Sequence, residues 1–400
     1  MTPYILVVAK SRHDVFTALF FDGLPPDVRR HIRVLEFGNE SLTAALAGAT
    51  ALVVMRHGLF SFGSLSGCAG LLKVPRYYFL DDNLMLVREE PEVYGPYWSQ
   101  YTDDGLRDAL KGFAGVLLAG RPLMAYFAER ALHPRLIEYP PIAWPILRSR
   151  DDSARGVEEP FRIAFFGGEH RRGVFASFVY PAIQRLARER AVELIVAGID
   201  LAALPPAANV RVVHLPYELS YGTALRQLAE HGVDVLVHPT PPTRNNPYKN
   251  ANVLINARAV GAVPVVSNMP PYDALGSPPA AVLCENSEEA WYAALARLAQ
   301  DRCLRDQVFE RVARHCDEHF SGDLNAAAIR QILAAHAAPG RWTRVARRVV
   351  AASPFGVDRT LFWARRTARK SRMLRRAVGY MRGRTAPAAN AGHSETTHSV

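Results

Sequence analysis

YKNANVLINARAVGAVPVVSN, residues 248–268, is the stretch that decides the fold. It predicts a helix over about 249–260 that leads directly into a short apolar strand. Lys249, Asn252 and Asn256 are spaced i, i+3 and i+7, so such a helix would carry all three on one face. The stretch therefore predicts a helix-to-strand unit of an α/β domain, with one polar helix face.

The two ends of this helix carry further signals. Gly261 suits the left-handed position just beyond a helix end, and Pro264 can open the next strand. A helix N-terminus offers free backbone N–H groups and a positive dipole end, which suits a diphosphate. A lysine in the first turn opposes that dipole, so Lys249 indicates an anionic ligand. The alternative is that Lys249 is merely solvated and the asparagines are surface caps.

Apolar runs alternate with helical patterns outward from this stretch through the whole chain. The strands are expected at 4–9, 31–37, 50–56, 74–80, 115–120, 161–168, 192–198, 210–216, 233–239, 263–268 and 280–285. Continuous apolar runs are typical of strands that helices cover on both faces, and the regular alternation predicts parallel sheets. We therefore expect an α/β protein with two Rossmann-like domains, 1–145 and 161–337, facing an interdomain cleft. The Pro-rich and charged sequence 146–160 would link them.

Length and composition exclude several classes of protein. The chain has 400 residues, of which 49% are hydrophobic and 22% charged, and this is typical of a globular protein rather than a disordered one. No apolar run approaches the eighteen or so residues that a membrane-spanning helix needs. The start, MTPYILVVAKSRHD, predicts a first strand rather than a signal peptide. We expect a cytoplasmic protein.

The positive charge is concentrated near the C-terminus. Residues 341–384 hold fourteen Arg or Lys and one acid, a net charge of +13, whereas the whole chain carries +10. The rest of the chain is therefore slightly acidic and lacks the excess of positive charge that is typical of a nucleic-acid-binding protein. The segment 338–384 mixes these cations with aromatic residues, which predicts a basic amphipathic segment on the anionic inner face of the cell membrane. RNA contact or a solvated tail are the alternatives, and 385–400 is predicted to be disordered.

The central stretch resembles the donor-binding motif of GT-B glycosyltransferases of the large group-1 (family-four) type. That motif is a basic or polar helix start followed by Glu-x-x-Ala-x-Gly-x-Pro-Val-Val. The residues that match it, with one extra residue before the proline, are Ala259, Gly261, Pro264, Val265 and Val266. The resemblance covers roughly residues 160–325. It implies transfer of a sugar from a nucleotide-sugar donor to a polysaccharide or lipid-linked oligosaccharide, in cell-surface glycan biosynthesis, with no metal and no other cofactor.

The sequence departs from the family at two acidic positions. The family's glutamate, which holds the donor ribose, aligns with Asn256, and an earlier acid aligns with Tyr248. An amide lacks the charge-assisted hydrogen bond of a carboxylate. The alternative hypothesis is therefore a catalytically inactive GT-B-like scaffold module of a polysaccharide assembly complex. A GT-B-fold sugar-nucleotide epimerase is a third.

FFGGEHRRG, residues 165–173, follows the first strand of the second domain. Gly167 and Gly168 would let a phosphate approach the backbone, and Arg171 or Arg172 could neutralise it, as a basic residue of this loop does in the resembled family. A solvated turn is the alternative for each arginine. The candidate donor-binding residues are thus Gly167, Gly168, Arg171, Arg172, Lys249, Asn250, Asn252 and Asn256.

The candidate catalytic residues follow strands of the first domain. Asp81 and Asp82 end the strand at 74–80, and two carboxylates facing a cleft could orient or deprotonate an acceptor hydroxyl. A metal-binding Asp-x-Asp or a plain strand-end turn are the alternatives. His57, after another strand, could act as a base or be structural. The loop AKSRHD offers Lys10, Arg12 and His13, which could bind an anionic acceptor.

Overall fold

The structure is a computed structural model that describes residues 3–36, 42–56, 59, 69–70, 72–148, 159–199 and 207–336. His57, most of the predicted linker 146–160, the basic segment 338–384 and the tail 385–400 lie outside the described residues.

The first domain contains a six-stranded parallel sheet with the order β2-β1-β3-β4-β5-β6. Its strands are β1 Ile5–Ala9, β2 Ile32–Glu36, β3 Ala51–Met55, β4 Arg76–Leu80, β5 Gly115–Leu118 and β6 Leu136–Glu138. The five predicted strands are confirmed. The sixth, β6, was not predicted because it is a three-residue edge strand whose side chains are all partly exposed, so it lacks a buried apolar run.

The second domain repeats this layout with the order β12-β11-β10-β7-β8-β9, again all parallel. Its strands are β7 Phe161–Phe166, β8 Val192–Ala197, β9 Val210–His214, β10 Val235–His238, β11 Val263–Ser267 and β12 Val282–Cys284. All six predicted strands are confirmed. In both sheets the strand order reverses beside the first strand, and ligands of such sheets bind beyond the carboxyl ends of the strands at that point.

Helices connect the strands and cover both faces of each sheet. In the first domain they are α1 Val15–Thr17, α2 Pro26–Arg29, α3 Leu42–Gly48, α4 Leu84–Glu89, α5 Pro91–Tyr94, α6 Asp103–Ala109 and α7 Arg121–Glu129. In the second they are α8 Arg172–Val174, α9 Tyr180–Leu186, α10 Tyr221–Glu230, α11 Asn252–Val260, α12 Glu288–Gln300, α13 Arg302–His319 and α14 Asp323–Ala335. No helix among the described residues combines the length and apolar character needed to cross a membrane.

The helix of the central stretch begins three residues later than predicted, at Asn252. A 3₁₀ turn over Asn246–Tyr248 precedes it, and Lys249 itself is extended, with φ −79° and ψ 156°. The Asn246 side-chain amide donates to the Pro241 carbonyl at 2.8 Å, and this hydrogen bond ties the turn to the preceding loop rather than to the helix. The prediction that Lys249 shares a helix face with Asn252 and Asn256 was therefore wrong. Only the two asparagines, at i and i+4, do so.

The other end of α11 matches its prediction. Gly261 has φ 73° and ψ 26°, the left-handed conformation expected beyond the helix end. Its N–H is thereby turned back toward the last carbonyls of the helix, and β11 follows at once.

The last described helix, α14, lies against the first domain. The Asn325 amide donates to the Pro140 carbonyl at 2.8 Å, and Arg330 pairs with Asp27 of α2 at 2.8 Å. The Tyr77 hydroxyl of β4 is 3.0 Å from the His336 ring. After completing the second sheet, the chain thus returns to the first domain. The domain boundaries predicted from the sequence include α14 in the second domain, 161–337.

Candidate functional site

A cavity of about 270 Å³ lies beyond the carboxyl ends of β7, β8 and β9, and we call it the strand-end cavity. Four of the predicted donor-binding residues line it, and they are Gly167, Gly168, Asn252 and Asn256. The two glycines come from the loop after β7, and the two asparagines come from the first half of α11. The parallel sheet brings these two sequence motifs together although more than eighty positions separate them.

The floor of this cavity is bare backbone. Gly167 N–H donates to the Ala197 carbonyl at 3.2 Å, which joins the loops after β7 and β8. Gly198 adopts φ 93°, and a Cβ there would lie 2.2 Å from the Gly167 carbonyl oxygen. Only glycine satisfies both demands at this position. The glycines at 167, 168 and 198 therefore leave this part of the cavity wall without side chains.

Asn256 is buried and already has a partner. Its Oδ1 accepts a hydrogen bond from the Tyr221 hydroxyl at 2.5 Å. Burial raises the pKa of Tyr221, so its phenol stays protonated and remains the donor. Asn252 differs, because its buried Oδ1 has no hydrogen-bond partner among the described residues. Asn252 thus has a buried oxygen without a partner among the described residues, whereas the oxygen of Asn256 already accepts one hydrogen bond.

The two loop arginines have separate environments. Arg171 is buried, and its Nη1 donates to the Pro239 carbonyl at 2.9 Å and to Thr240 Oγ1 at 2.8 Å. Arg171 therefore fixes the loop after β10. Arg172 is exposed and pairs with Glu169 at 2.9 Å. Neither side chain belongs to the lining of the strand-end cavity.

Asp81, Asp82 and Lys249 meet at the contact between the two domains. The Lys249 ammonium is 3.6 Å from Asp82 Oδ1, and its side chain is 16% exposed. Arg56 lies on the other side of both aspartates, with Nε 3.1 Å from Asp81 Oδ1 and Nη2 3.2 Å from Asp82 Oδ2. Two cations and two carboxylates thus form one buried cluster, which we call the interface cluster.

The cluster separates the pKa values of its two carboxylates. Burial, aided by the charge of Asp82, raises the pKa of Asp81 to about 7 against the opposing effect of Arg56. Burial acts on Asp82 in the same direction, but Lys249, Arg56 and the Asn245 amide outweigh it and lower the pKa to about 2. Asp82 is therefore ionised at neutral pH, and Asp81 is the group that titrates.

Stability should consequently depend on pH through Asp81. Its ordinary pKa is 3.8 and burial raises it to about 7, so between these values the folded chain keeps a proton that the unfolded chain has lost. Stability must then fall as the pH rises through this window. We expect Asp81→Asn to melt progressively higher relative to wild type as the pH rises from 5 to 8. Thermal melting at several pH values checks this, and a pH-independent difference would contradict it.

Arg56 is a residue that the sequence did not identify as central. It has a φ of 35°, unusual for a residue with a side chain, and its carbonyl accepts hydrogen bonds from the Tyr78 and Tyr101 hydroxyls at 3.1 Å each. Its guanidinium also lies 4.4 Å from the centre of the Phe16 ring. Because this guanidinium covers Asp81, the contacts favour a structural role for that carboxylate over a role as base.

Polar contacts around the cluster join the domains further. Asn245 accepts from the Asn83 N–H at 2.9 Å and donates to Asp82 at 3.2 Å. Asn83 itself caps α4. The Tyr94 hydroxyl is 3.1 Å from Thr243 Oγ1. The sequence pattern did not predict these contacts.

The rings of Tyr94 and His170 lie next to this cluster. The Tyr94 ring lies 5.4 Å from the Lys249 ammonium and 5.8 Å from the His170 ring. Burial, with Arg171 and Lys249, lowers the pKa of His170 to about 3, so its ring is neutral. Asn250 is half-buried, beside Gly120 of the first domain, and does not line the strand-end cavity.

A larger cavity of about 560 Å³ lies between the domains, and we call it the interdomain cavity. Its charged lining residues are Lys10, Asp14, Glu36, Arg56 and Glu218, and its aromatic ones include Phe16, Phe166 and Tyr217. Three acids against two cations do not favour the anionic acceptor expected from the loop after β1. Of the three residues named for that role, Lys10 lines the cavity, whereas Arg12 and His13 do not.

The two cavities adjoin, because Val15, Phe166, Tyr217, Glu218, Tyr221 and Ala224 line both. The second domain supplies all but Val15 of this shared wall. A ligand bound at the strand ends of the second domain would therefore present one end to the space between the domains. Among the described residues, no group of three or more His, Cys, Asp or Glu is placed to hold a metal ion.

Comparison with known proteins finds no matching family model and no matching curated sequence. Solved structures do match over most of the chain. HepE from Anabaena in complex with UDP-glucose superposes with a TM-score of 0.58 at 13% identity, covering 83% of this chain and 99% of HepE. Sucrose-phosphate synthase from Thermosynechococcus elongatus gives a TM-score of 0.52 at 12% identity, covering 84% and 100%. With its two six-stranded parallel sheets, the chain has the GT-B fold that the sequence predicted.

Proposed function

We propose that this protein is a glycosyltransferase that moves a sugar from a nucleotide-sugar donor to a polysaccharide or lipid-linked oligosaccharide, without a metal ion, in cell-surface glycan biosynthesis. The observation that carries the proposal is the strand-end cavity, which opens into the interdomain cavity. A nucleotide in the first would hold its sugar where an acceptor in the second can reach it. HepE, which has this fold, is described in complex with UDP-glucose.

The donor diphosphate has a suitable position beside the glycine loop. Gly167 and Gly168 leave the backbone open, and the N-terminus of α11 begins at Asn252 in the same wall. Lys249 lies three residues earlier, within about 11 Å of Asn252 along the chain. Its ammonium, with the exposed guanidinium of Arg172, would stabilise the negative charge that develops on the leaving nucleoside diphosphate. These two cations would supply the positive charge that a metal ion supplies in other transferases.

The interdomain cavity suits a neutral, hydroxyl-rich acceptor. Its acids can accept hydrogen bonds from sugar hydroxyls, and the rings of Phe16, Phe166 and Tyr217 offer apolar faces. The excess of acids over cations disfavours a phosphorylated group at this position. We therefore propose that a glycan portion of the acceptor enters here.

Thermal stabilisation by UDP-, GDP-, ADP- and dTDP-sugars tests the donor assignment. One donor at 100 times its dissociation constant should stabilise the fold by about 2.7 kcal/mol, which is several degrees in Tm for a chain of this size. Release of free nucleotide with acceptor present would then establish transfer. Stabilisation by none of these donors would refute the enzyme hypothesis.

A catalytically inactive scaffold module remains the second candidate. The observation that favours it is the engagement of two donor-site residues within the protein. The Asn256 oxygen accepts from Tyr221, and the Lys249 ammonium faces Asp82. A chain that binds a nucleotide sugar but releases no nucleotide with any glycan acceptor would support this candidate over the enzyme.

The basic segment predicts membrane binding, and its sequence alone supports this proposal. Fourteen cations over residues 341–384, each contributing about 1 kcal/mol when well placed, would hold the protein on the cytoplasmic face of the membrane, where it would reach a lipid-linked acceptor. We expect the full chain to co-sediment with phosphatidylglycerol vesicles and chain 1–340 to remain in the supernatant. Phosphatidylcholine vesicles and high salt are the controls. Equal co-sedimentation of both chains would contradict the proposal.

A further inference from the structure

The strand-end cavity contains a carboxylate that the sequence motifs did not mark. Glu218 lies in the loop between β9 and α10, and it belongs to the wall shared with the interdomain cavity. Among the described residues that line the strand-end cavity, Glu218 is the one with a formal charge. The remaining polar side chains of the lining are amides and phenols. A ligand of this cavity therefore meets a single fixed negative charge.

The position of Glu218 is set by the start of α10. Its Oε1 accepts a hydrogen bond from the Ser220 N–H at 2.7 Å. Ser220 in turn caps the helix, with its hydroxyl accepting from Thr223 N–H at 3.4 Å. Oε2 has no hydrogen-bond partner among the described residues and remains available as an acceptor. One oxygen of the carboxylate is thus held by the Ser220 N–H, and the other can accept a hydrogen bond from a ligand.

Glu218 and Asn256 line the same cavity. Tyr221, three residues after Glu218, donates its hydroxyl to Asn256 Oδ1 at 2.5 Å. The tyrosine therefore already uses one of the two lone pairs of the Asn256 oxygen, which as a neutral acceptor is also weaker than a carboxylate. A donor group on a ligand in this part of the cavity finds its strongest acceptor in the Glu218 carboxylate.

Charge and hydrogen-bonding groups determine which part of a nucleotide can contact this carboxylate. A phosphate is repelled by it and is better placed at the wall of Gly167, Gly168 and Asn252, where the glycines present no side chain and α11 begins. A vicinal diol is neutral and offers two O–H donors, and an acidic residue beyond a strand end binds ribose hydroxyls in other Rossmann folds. We propose that Glu218 accepts the ribose hydroxyls of the nucleotide donor, in place of the carboxylate missing at position 256. This inference rests on the proposed function.

Calorimetric titration with matched ribose and deoxyribose nucleotides tests the inference. The probe is whichever of UDP, GDP, ADP and CDP binds best, compared with its 2′-deoxy counterpart. Wild type should prefer the ribonucleotide by about tenfold or more, the size of a charge-assisted hydrogen bond. Glu218→Gln should weaken ribonucleotide binding to the level of the deoxynucleotide and leave deoxynucleotide binding nearly unchanged.

Glu230→Gln is the matched control, because Glu230 is exposed at the far end of α10 and lines neither cavity. It should keep the full preference for ribose. Persistence of the preference in Glu218→Gln, or its absence in wild type, would overturn the inference while leaving the proposed function intact. Binding of no nucleotide by wild type would overturn both. Thermal melting of each variant shows whether a loss of binding reflects unfolding.

Discussion

Arg56→Met should destabilise the protein by about 3–5 kcal/mol at pH 8, because it leaves two buried carboxylates facing Lys249 alone. Arg56 holds Asp81 and Asp82 within 3.2 Å, and its side chain is only 10% exposed. The loss should be smaller at pH 5, where Asp81 can be protonated. Denaturant unfolding at both pH values measures the change in free energy.

Two further variants test whether the loss of stability comes from the buried charges of the interface cluster. Arg107→Met breaks an exposed pair with Asp104 at 2.6 Å and should have little effect, since solvent screens such pairs. Adding Asp81→Asn to Arg56→Met should recover much of the lost stability, because it removes one of the uncompensated charges. Equal losses in the two arginine variants, or no recovery in the double variant, would contradict the charge-cluster interpretation.

Lys249→Met should lower nucleotide-sugar turnover by about 10²- to 10³-fold, the effect of removing one group that stabilises developing negative charge. The change should also reduce the preference for a nucleoside diphosphate over its monophosphate, since the lysine is proposed to face the phosphates. The fold should persist because Asp82 keeps its contacts with Arg56 and Asn245. Steady-state rates and calorimetric titration measure both effects.

The control for this variant is Lys111→Met, which removes an exposed lysine paired with Asp108. It should bind and turn over donors like wild type. If Lys249→Met kept the wild-type preference for diphosphates, Lys249 would be a residue of the domain interface alone. Its contacts with Asp82 and with the Tyr94 ring would then be its whole role.

The fold was largely predictable because its signals are local. Each buried strand is a continuous apolar run that is visible in the sequence, and eleven of the twelve described strands were expected. The exception, β6, has three residues that are all partly exposed, so it lacks the continuous apolar run that identifies a buried strand. The start of α11 was misplaced because no capping side chain precedes Asn252, and a separate 3₁₀ turn interrupts the polar sequence before it.

The candidate site was predictable only where a motif lies in one segment. The glycine pair at 167–168 and the asparagines at 252 and 256 could be named from local pattern, and the parallel sheet places them around one cavity. Arg171 shows the limit of such reasoning. Its place in the loop after β7 suggested a phosphate ligand, yet its guanidinium holds the loop after β10.

The sequence by itself determined the two Rossmann-like domains, because hydrophobic periodicity and turn chemistry act within a few residues of each other. It also indicated which loops end the strands. Only the tertiary structure decided that Arg56 joins Asp81 and Asp82, that Tyr221 occupies the oxygen of Asn256, and that Glu218 reaches the same cavity. These pairings join segments distant in sequence, and their partners are determined by how the strands are ordered in space rather than by local pattern.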